Sequence, residues 1–314
     1  MLSLRKEIYL LILFRGVLKR YRLYLFIGLL LPALTGLGNT PDPGKPYATS
    51  TREEAVSFIS KIEKLEASPH WPAIKPELFL QNLKTDAAEP LSIYQGRGTN
   101  FCGYGALTYL FLQDDPLGYI KLLLHLYKEG TADQGRIHFA PSDAVKAEAG
   151  QLHYRGILDI KPAEQMWFLT LADHFKGYLN FFNKRYDPGD EETFWASVNY
   201  GKFNRMVKGL LRYHVTARGS DMIRPRIDNL YDYISSHLKE GQVVLYINNR
   251  IVHKKNHVKI KLAVPTHFIA VQEISMINDQ ITLIYWDYGG KTLMQLSPSF
   301  LNKITFGVSC CTKN

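Results

Sequence analysis

Apolar residues recur at helical spacing through most of the chain up to residue 240. Residues 51–54 have the Thr-x-x-Glu pattern of a capping box and precede an apolar helical face. Residues 115–130 begin with Asp-Pro and end in Gly, which predicts a capped helix. Residues 68–90 contain four prolines and are predicted to be a loop. The other stretches predicted to be helical are 106–112, 142–150, 162–182, 190–213 and 227–240.

From Gly241 onward the pattern changes to short β-rich segments separated by turn residues. Asn278-Asp279 and Gly289-Gly290 are the predicted turns. The predicted strands are 242–248, 266–274, 281–286, 292–296 and 304–309. Helices followed by consecutive strands indicate an α+β fold with an antiparallel sheet.

Composition excludes several classes of protein. The 314 residues are 46% hydrophobic and 21% charged, which is ordinary for a globular chain and excludes a disordered one. Only one segment is apolar enough to concern a membrane, which excludes a polytopic membrane protein. Three cysteines exclude a disulfide scaffold, and the absence of a CxxC pair excludes a zinc ribbon. The formal net charge is +9, but residues 1–38 contribute much of the basic excess. No basic run interleaved with aromatics is present, so we expect no nucleic-acid partner. His253 and His257 have the spacing of a possible metal pair, but the lysines around them disfavour a cation, so we expect no metal or cofactor.

The N-terminal segment has the order of an export signal. Basic residues end at Arg22, an apolar run follows from Leu23 to Leu37, and small and turn-forming residues come next. We expect residues 1–38 to be a signal peptide or a membrane anchor and residues 39–50 to be a linker, which predicts an exported or membrane-attached protein. The alternative is an amphipathic helix that packs on the domain.

Cys102 lies between a glycine-rich loop and the predicted start of a helix. The positive end of the helix dipole and the free N–H groups stabilise a thiolate, and the same groups can bind an oxyanion. Gly103 and Gly105 are expected to let a substrate backbone approach closely. The alternative for Cys102 is a buried structural cysteine.

His267 and Asp287 complete a candidate constellation with Cys102. His267 lies near the start of one predicted strand, and Asp287 ends the next. A connecting turn with an odd number of residues places both side chains on one face within one diagonal, whereas a two-residue turn places them on opposite faces. If they meet, the carboxylate orients the imidazole that accepts the thiol proton. Otherwise His267 is an edge histidine and Asp287 caps its turn.

Oxyanion donors are expected from the loop that precedes the cysteine. Gln95 lies seven residues before Cys102, and its side-chain amide could donate into the site. Asn100 is the competing donor on the same loop. The alternative for both is hydrogen bonding to the loop backbone.

These segments resemble the papain-like cysteine peptidase superfamily, and most closely its bacteriocin-processing (double-glycine) peptidase branch. The similar stretches are Asn-Phe-Cys-Gly-Tyr-Gly-Ala-Leu at 100–107, His-Phe-Ile-Ala-Val at 267–271 and Trp-Asp-Tyr-Gly-Gly at 286–290. The resemblance implies that Cys102 is the nucleophile, His267 the base and Asp287 the orienting acid. It implies that Gln95 is the oxyanion donor.

The resemblance also implies a fold. A papain-like domain would span residues 51–314, with the nucleophile at the start of a helix in an N-terminal helical part that packs on a C-terminal antiparallel sheet. The gap between Cys102 and His267 is 165 residues, longer than in that branch, so residues from about 116 to 240 would be a helical insertion. Tyr288 stands where proline is usual in those enzymes.

The leading hypothesis is a thiol hydrolase that cleaves a peptide or amide bond in a peptide or protein substrate, without a cofactor. One alternative is a transglutaminase-like acyl transferase that uses the same residues. A second is a degenerate papain-like module that binds partners through the insertion.

Overall fold

The computed structural model describes residues 48–96, 98–152, 160–177, 185–249 and 265–313, all of which belong to one compact unit that begins at Pro46. The predicted leader or anchor at 1–38 and most of the predicted linker at 39–50 lie outside these residues. Within the described ranges, no helix is both long enough and apolar enough to cross a bilayer.

The described residues form nine helices and eight strands, and the α+β class is confirmed. The helices are α1 (Arg52–Ser60), α2 (Pro76–Ala88), α3 (Cys102–Asp114), α4 (Pro116–Glu129), α5 (Asp143–Glu148), α6 (Pro162–Phe175), α7 (Tyr200–Leu211), α8 (Leu230–Glu240) and α9 (Pro298–Ile304). The strands are β1 (Ala132–Gln134), β2 (Ile137–Phe139), β3 (His214–Gly219), β4 (Gln242–Ile247), β5 (His267–Ile277), β6 (Gln280–Asp287), β7 (Gly290–Leu296) and β8 (Thr305–Thr312).

Local capping signals form as the sequence predicts. Thr51 and Glu54 make the reciprocal capping box that starts α1. Asp115 accepts a hydrogen bond from the backbone of Gly118 at the start of α4, and Gly130 ends this helix in the left-handed region with φ of 69°. These contacts fix the helix ends through residues adjacent in sequence.

Six strands form one antiparallel sheet in the order β3-β8-β4-β5-β6-β7, and β1 and β2 form a separate hairpin. The alternating residues of β4 are buried on both faces of the main sheet. Val243, Leu245 and Ile247 face a core that includes Leu230 and Ile234 of α8. The opposite face belongs to the larger core, which includes almost all of α3. The sheet is therefore covered by helices on both sides.

An aromatic stack fixes α7 on the sheet near the start of β5. The ring of Phe203 lies 4.5 Å from that of Phe268, which lies 4.2 Å from the ring of Tyr246. Tyr200, at the start of α7, stacks on Tyr246 at 5.9 Å. Because Phe268 directly follows His267, this contact joins α7 to the strand that carries the candidate base.

Several sequence predictions are wrong at the level of single elements. The predicted loop at 68–90 contains α2, because Pro76 occupies the first helical turn, where proline is tolerated. The predicted helix at 190–213 forms only from Tyr200 to Leu211. The stretch from 116 to 240 contains strands besides its helices, and β3 pairs with β8 in the main sheet.

Candidate active site

Cys102 is the first residue of α3, as its sequence context predicts. Phe101 occupies the N-cap, and its apolar side chain cannot accept a hydrogen bond from the helix N–H groups. Gly105 bonds back to Phe101 and closes the first turn. The Cys102 side chain is partly exposed and therefore reachable by a reagent or substrate. Cys102 therefore lies at a helix N-terminus and is accessible to solvent, and reactive thiols typically have both features.

His267 and Asp287 meet through a short hydrogen bond. The Nε2 atom of His267 lies 2.6 Å from Oδ1 of Asp287, and both side chains are buried. Asp287 thereby engages one ring nitrogen, which leaves Nδ1 available to Cys102. The carboxylate holds the ring in one orientation and stabilises the imidazolium.

The register that joins this pair does not come from an odd-length turn. Asn278 and Asp279 form a two-residue turn with positive φ at both positions, which by itself would put His267 and Asp287 on opposite faces. A β-bulge at Gln272 shifts the pairing by one residue, so that Ala270 pairs with Trp286. The additional residue that an odd-length turn would have supplied is instead Gln272, within β5.

Cys102 lies beside the same imidazole. Its thiol donates to the backbone oxygen of Thr266 at 3.9 Å, and its side chain is close enough to raise the pKa of His267. The sulfur thus approaches the ring from the starting end of β5. The structure brings together a thiol, an imidazole and a carboxylate from α3, β5 and β6.

Opposing effects set the protonation of His267. Burial acts to lower its pKa, because an imidazolium is poorly solvated in the interior. The hydrogen bond to Asp287, the neighbouring Cys102 side chain and the charges of both groups outweigh burial and raise the pKa from 6.5 to about 10. The ring therefore carries a proton at neutral pH.

Gln95 packs over the first turn of α3. A Cβ atom placed on Gly105 would lie 3.1 Å from Cβ and 3.3 Å from Oε1 of Gln95. The Gln95 side chain is buried, and neither of its polar atoms has a hydrogen-bond partner in the described part of the chain. A buried amide without a partner is costly, so it marks a place where a ligand atom can supply the missing bond.

Asn100, the competing donor, is directed elsewhere. Its side-chain amide donates to the backbone oxygens of Glu192 and Thr193, each at 2.8 Å. Its backbone N–H donates to Glu191. These bonds tie the cysteine loop to the 190–193 turn and leave Gln95 as the better placed donor.

The two glycines near Cys102 leave room for the protein's own side chains. A Cβ on Gly103 would lie 3.0 Å from Cβ of Val198, and one on Gly105 would lie 3.2 Å from the Trp286 ring. Any larger residue would push Val198 or Trp286 away from α3.

Tyr288 contributes to the site in a way that the sequence did not reveal. Its ring stacks on that of His267, with 4.8 Å between centroids and 9° between planes. Its φ of 44° lies in the left-handed region, which places the ring back over the preceding strand. The sequence showed only an aromatic residue next to Asp287, without the backbone conformation that directs it.

Cys310 and Cys311 are buried within β8, which continues past the predicted end of this strand at residue 309. His253 and His257, a possible metal pair by spacing, lie outside the described residues. Within the described ranges, no three His, Cys, Asp or Glu side chains are arranged to hold a metal ion.

Compared with known proteins, the sequence matches no protein-family model and no curated protein.

Proposed function

We propose that this protein is a papain-like thiol hydrolase that cleaves a peptide or amide bond through Cys102, His267 and Asp287. The observation that carries the proposal is a partly exposed thiol at a helix N-terminus, bonded to the Thr266 backbone beside a buried imidazole that is itself held by a carboxylate at 2.6 Å. Gln95 supports it as a buried amide with unsatisfied hydrogen-bonding capacity beside the same helix turn.

The chemistry follows from this arrangement. His267 already holds the proton that the Cys102 thiol gives up, and the thiolate attacks the substrate carbonyl carbon to form a tetrahedral oxyanion. The N–H groups of α3 and the Gln95 amide stabilise that charge. When the C–N bond breaks, His267 gives its proton to the leaving amine and a thioester remains on Cys102. Water then attacks the thioester while His267 accepts a water proton, which releases a carboxylic acid and restores the thiol.

The fold favours a papain-like arrangement over an unrelated α+β design. The nucleophile starts a central helix, and the base and orienting acid lie on neighbouring antiparallel strands. The resemblance in sequence covers these same elements. The order of residues 1–38 supports export or membrane attachment as part of the proposal, and sequencing the N-terminus of the mature protein tests that part.

Alkylation with iodoacetamide tests the nucleophile directly. At pH 7 we expect Cys102 to react at least about tenfold faster than in the His267→Ala variant, because the imidazolium stabilises the thiolate. Peptide mass spectrometry separates the three cysteines. Cys310→Ala is the matched control, since Cys310 is buried and its loss should leave the rate at Cys102 unchanged.

Hydrolysis of p-nitrophenyl acetate tests turnover. We expect a burst of one nitrophenol per chain followed by slower release, and no burst in Cys102→Ala. Equal alkylation rates in the wild type and His267→Ala, together with no burst, would overturn the proposal and favour a binding module. An added amine that diverts the acyl group from water would instead favour an acyl transferase.

A further inference from the structure

Two buried carboxylates and a partly exposed lysine lie beside the segment that carries Gln95. The Nζ atom of Lys161, the N-cap residue of α6, lies 2.9 Å from Oδ1 of Asp86 and 3.0 Å from Oε1 of Glu164. Both carboxylates are fully buried, whereas Lys161 retains about a fifth of its exposure. We call Lys161, Asp86 and Glu164 the Lys161 cluster.

The cluster is bonded directly to the residues that precede Gln95. Lys161 donates to Oγ of Ser92 at 3.0 Å and to its backbone oxygen at 3.4 Å. Oε2 of Glu164 accepts from the backbone N–H of Tyr94 at 3.4 Å. The segment is thus held at two points within the three residues before Gln95.

The opposite side of the segment is held by the strand that carries the orienting acid. Nε1 of Trp286, the neighbour of Asp287, donates to the backbone oxygen of Leu91 at 3.0 Å. The Gln95 segment therefore lies between the Lys161 cluster and β6. A shift on either side would move the amide relative to Cys102.

The charges of the cluster do not balance when all three groups are ionised. Two buried carboxylates face one ammonium, and Oδ2 of Asp86 has no hydrogen-bond partner in the described part of the chain. Burial and the charge of Asp86 raise the pKa of Glu164 to about 8, although Lys161 opposes this. Burial likewise raises the pKa of Asp86. The other titratable group that these carboxylates influence is Tyr119 of α4.

Burying such a cluster in a core costs desolvation free energy, which the attraction between its charges offsets only in part. Apolar residues of similar volume would often be as stable or more stable, so a buried ionic cluster is better explained by the geometry that it specifies. Here that geometry is the path of the segment from Ser92 to Gln95.

We propose that the Lys161 cluster positions Gln95 as the oxyanion donor, with ionised Glu164 holding the Tyr94 backbone. This inference rests on the proposed function. Glu164 is a positioning residue because it acts through Gln95 and does not itself touch the reacting atoms. A charged acceptor binds an N–H group more strongly than a neutral one, so turnover should increase as Glu164 ionises.

The test is a double-mutant cycle on p-nitrophenyl acetate hydrolysis with Glu164→Gln and Gln95→Ala. Above the pH at which Glu164 ionises, we expect Gln95→Ala to lower kcat by about 10²-fold or more and Glu164→Gln by about 10-fold, with KM within about twofold. The double variant should be no slower than Gln95→Ala, since Glu164 acts only through that residue. Losses that multiply in the double variant would overturn the inference.

The pH profile gives a second readout. As pH increases, wild-type kcat should rise with a midpoint near pH 8, and this rise should be absent in Glu164→Gln. Asp86→Asn leaves the contact with Tyr94 and removes the charge that raises the Glu164 pKa, so the rise should move to lower pH. This variant also tests the inference if Glu164→Gln does not fold. A midpoint that stays in place in Asp86→Asn would overturn it.

Alkylation of Cys102 separates this inference from the proposed function. Alkylation forms no oxyanion, so Glu164→Gln should react with iodoacetamide at the wild-type rate. Equal losses of alkylation and hydrolysis would show a general structural role and overturn the positioning role. Slow alkylation in the wild type itself would instead overturn the proposed function.

Discussion

The side-chain amide of Gln272 donates a hydrogen bond to the hydroxyl of Tyr109 at 3.1 Å. Gln272 is the bulge residue of β5, and Tyr109 lies on α3, the helix that begins with Cys102. Tyr109 also stacks on Trp286 at 5.2 Å, next to Asp287. The residue that sets the register of the histidine and aspartate is therefore anchored to the helix that carries the thiol.

Deleting Gln272 should separate His267 from Asp287. Without the extra residue, the two-residue turn would place these side chains on opposite faces of the hairpin. We expect hydrolysis to fall by about 10³-fold or more, because an unoriented imidazole is a poor base. The pKa of His267, measured by NMR titration, should fall below its wild-type value.

Gln272→Ala is the matched control for the deletion. It keeps the extra residue and loses only the bond to Tyr109, so the register should survive at a cost of about 1 kcal/mol in unfolding free energy. Equal losses of activity in the deletion and in Gln272→Ala would contradict the register argument.

The alkaline limit of activity should report His267. Because its folded pKa is raised to about 10, its protonation stabilises the folded state fully below pH 6.5, and this contribution is lost as pH rises through 10. Asp287→Asn removes a bond and a charge that favour the imidazolium. We therefore expect the alkaline limb of the amide-hydrolysis profile, where His267 must donate a proton to the leaving amine, to move to lower pH in that variant.

Asp279→Asn is the control for that shift, since Asp279 is an exposed residue in the turn of the same hairpin. Its pH profile should match that of the wild type. If the alkaline limb of the pH profile is at the same pH in Asp287→Asn as in the wild type, the carboxylate does not set the pKa of His267.

Gln95 and Asn100 should differ in their effect on turnover. Gln95→Ala should lower kcat about 10²-fold or more while Cys102 alkylation stays constant, because only hydrolysis develops an oxyanion. Asn100→Ala removes bonds to Glu192 and Thr193 and should cost about 1 kcal/mol in unfolding free energy with a small change in kcat. Steady-state kinetics and denaturant unfolding measure the two effects, and the reverse ranking in kcat would assign the oxyanion role to Asn100.

Lys202 is predicted to be a major source of stability. Its buried ammonium donates to the backbone oxygens of Phe175, Lys176 and Gly177 at the end of α6. Lys202→Met would leave these carbonyls without that donor, and we expect a loss of about 3 kcal/mol in unfolding free energy by urea titration. Lys208→Met, at an exposed position on the same helix, should be nearly neutral. Similar losses in both variants would refute the capping role.

The parts of the fold that were predictable are those encoded by neighbouring residues. The ends of α4 follow from Asp115, Pro116 and Gly130, whose preferences act within one turn of helix. The predicted strands of the C-terminal part lie close to β4 through β8, because period and turn residues are local signals. The α+β class followed from these elements alone.

The parts that escaped prediction depend on contacts between distant elements. The bulge at Gln272 is defined by pairing with β6 and by the bond to Tyr109, so no local pattern marks it. The unsatisfied amide of Gln95 and the stacked Tyr288 are likewise products of packing. For the candidate site, sequence named the residues, whereas tertiary structure determined which of them meet.

The sheet that supports the candidate site includes β8, a strand that follows Cys102, His267 and Asp287 in the chain. Residues 305–312 fill the slot between β3 and β4, and β4 in turn supports the strand that begins with His267. A nascent chain halted before this strand would leave a gap in the middle of the sheet, although every side chain of the triad had already been synthesised. Assembly of the candidate site therefore waits for a strand that is synthesised after all of the site's own residues.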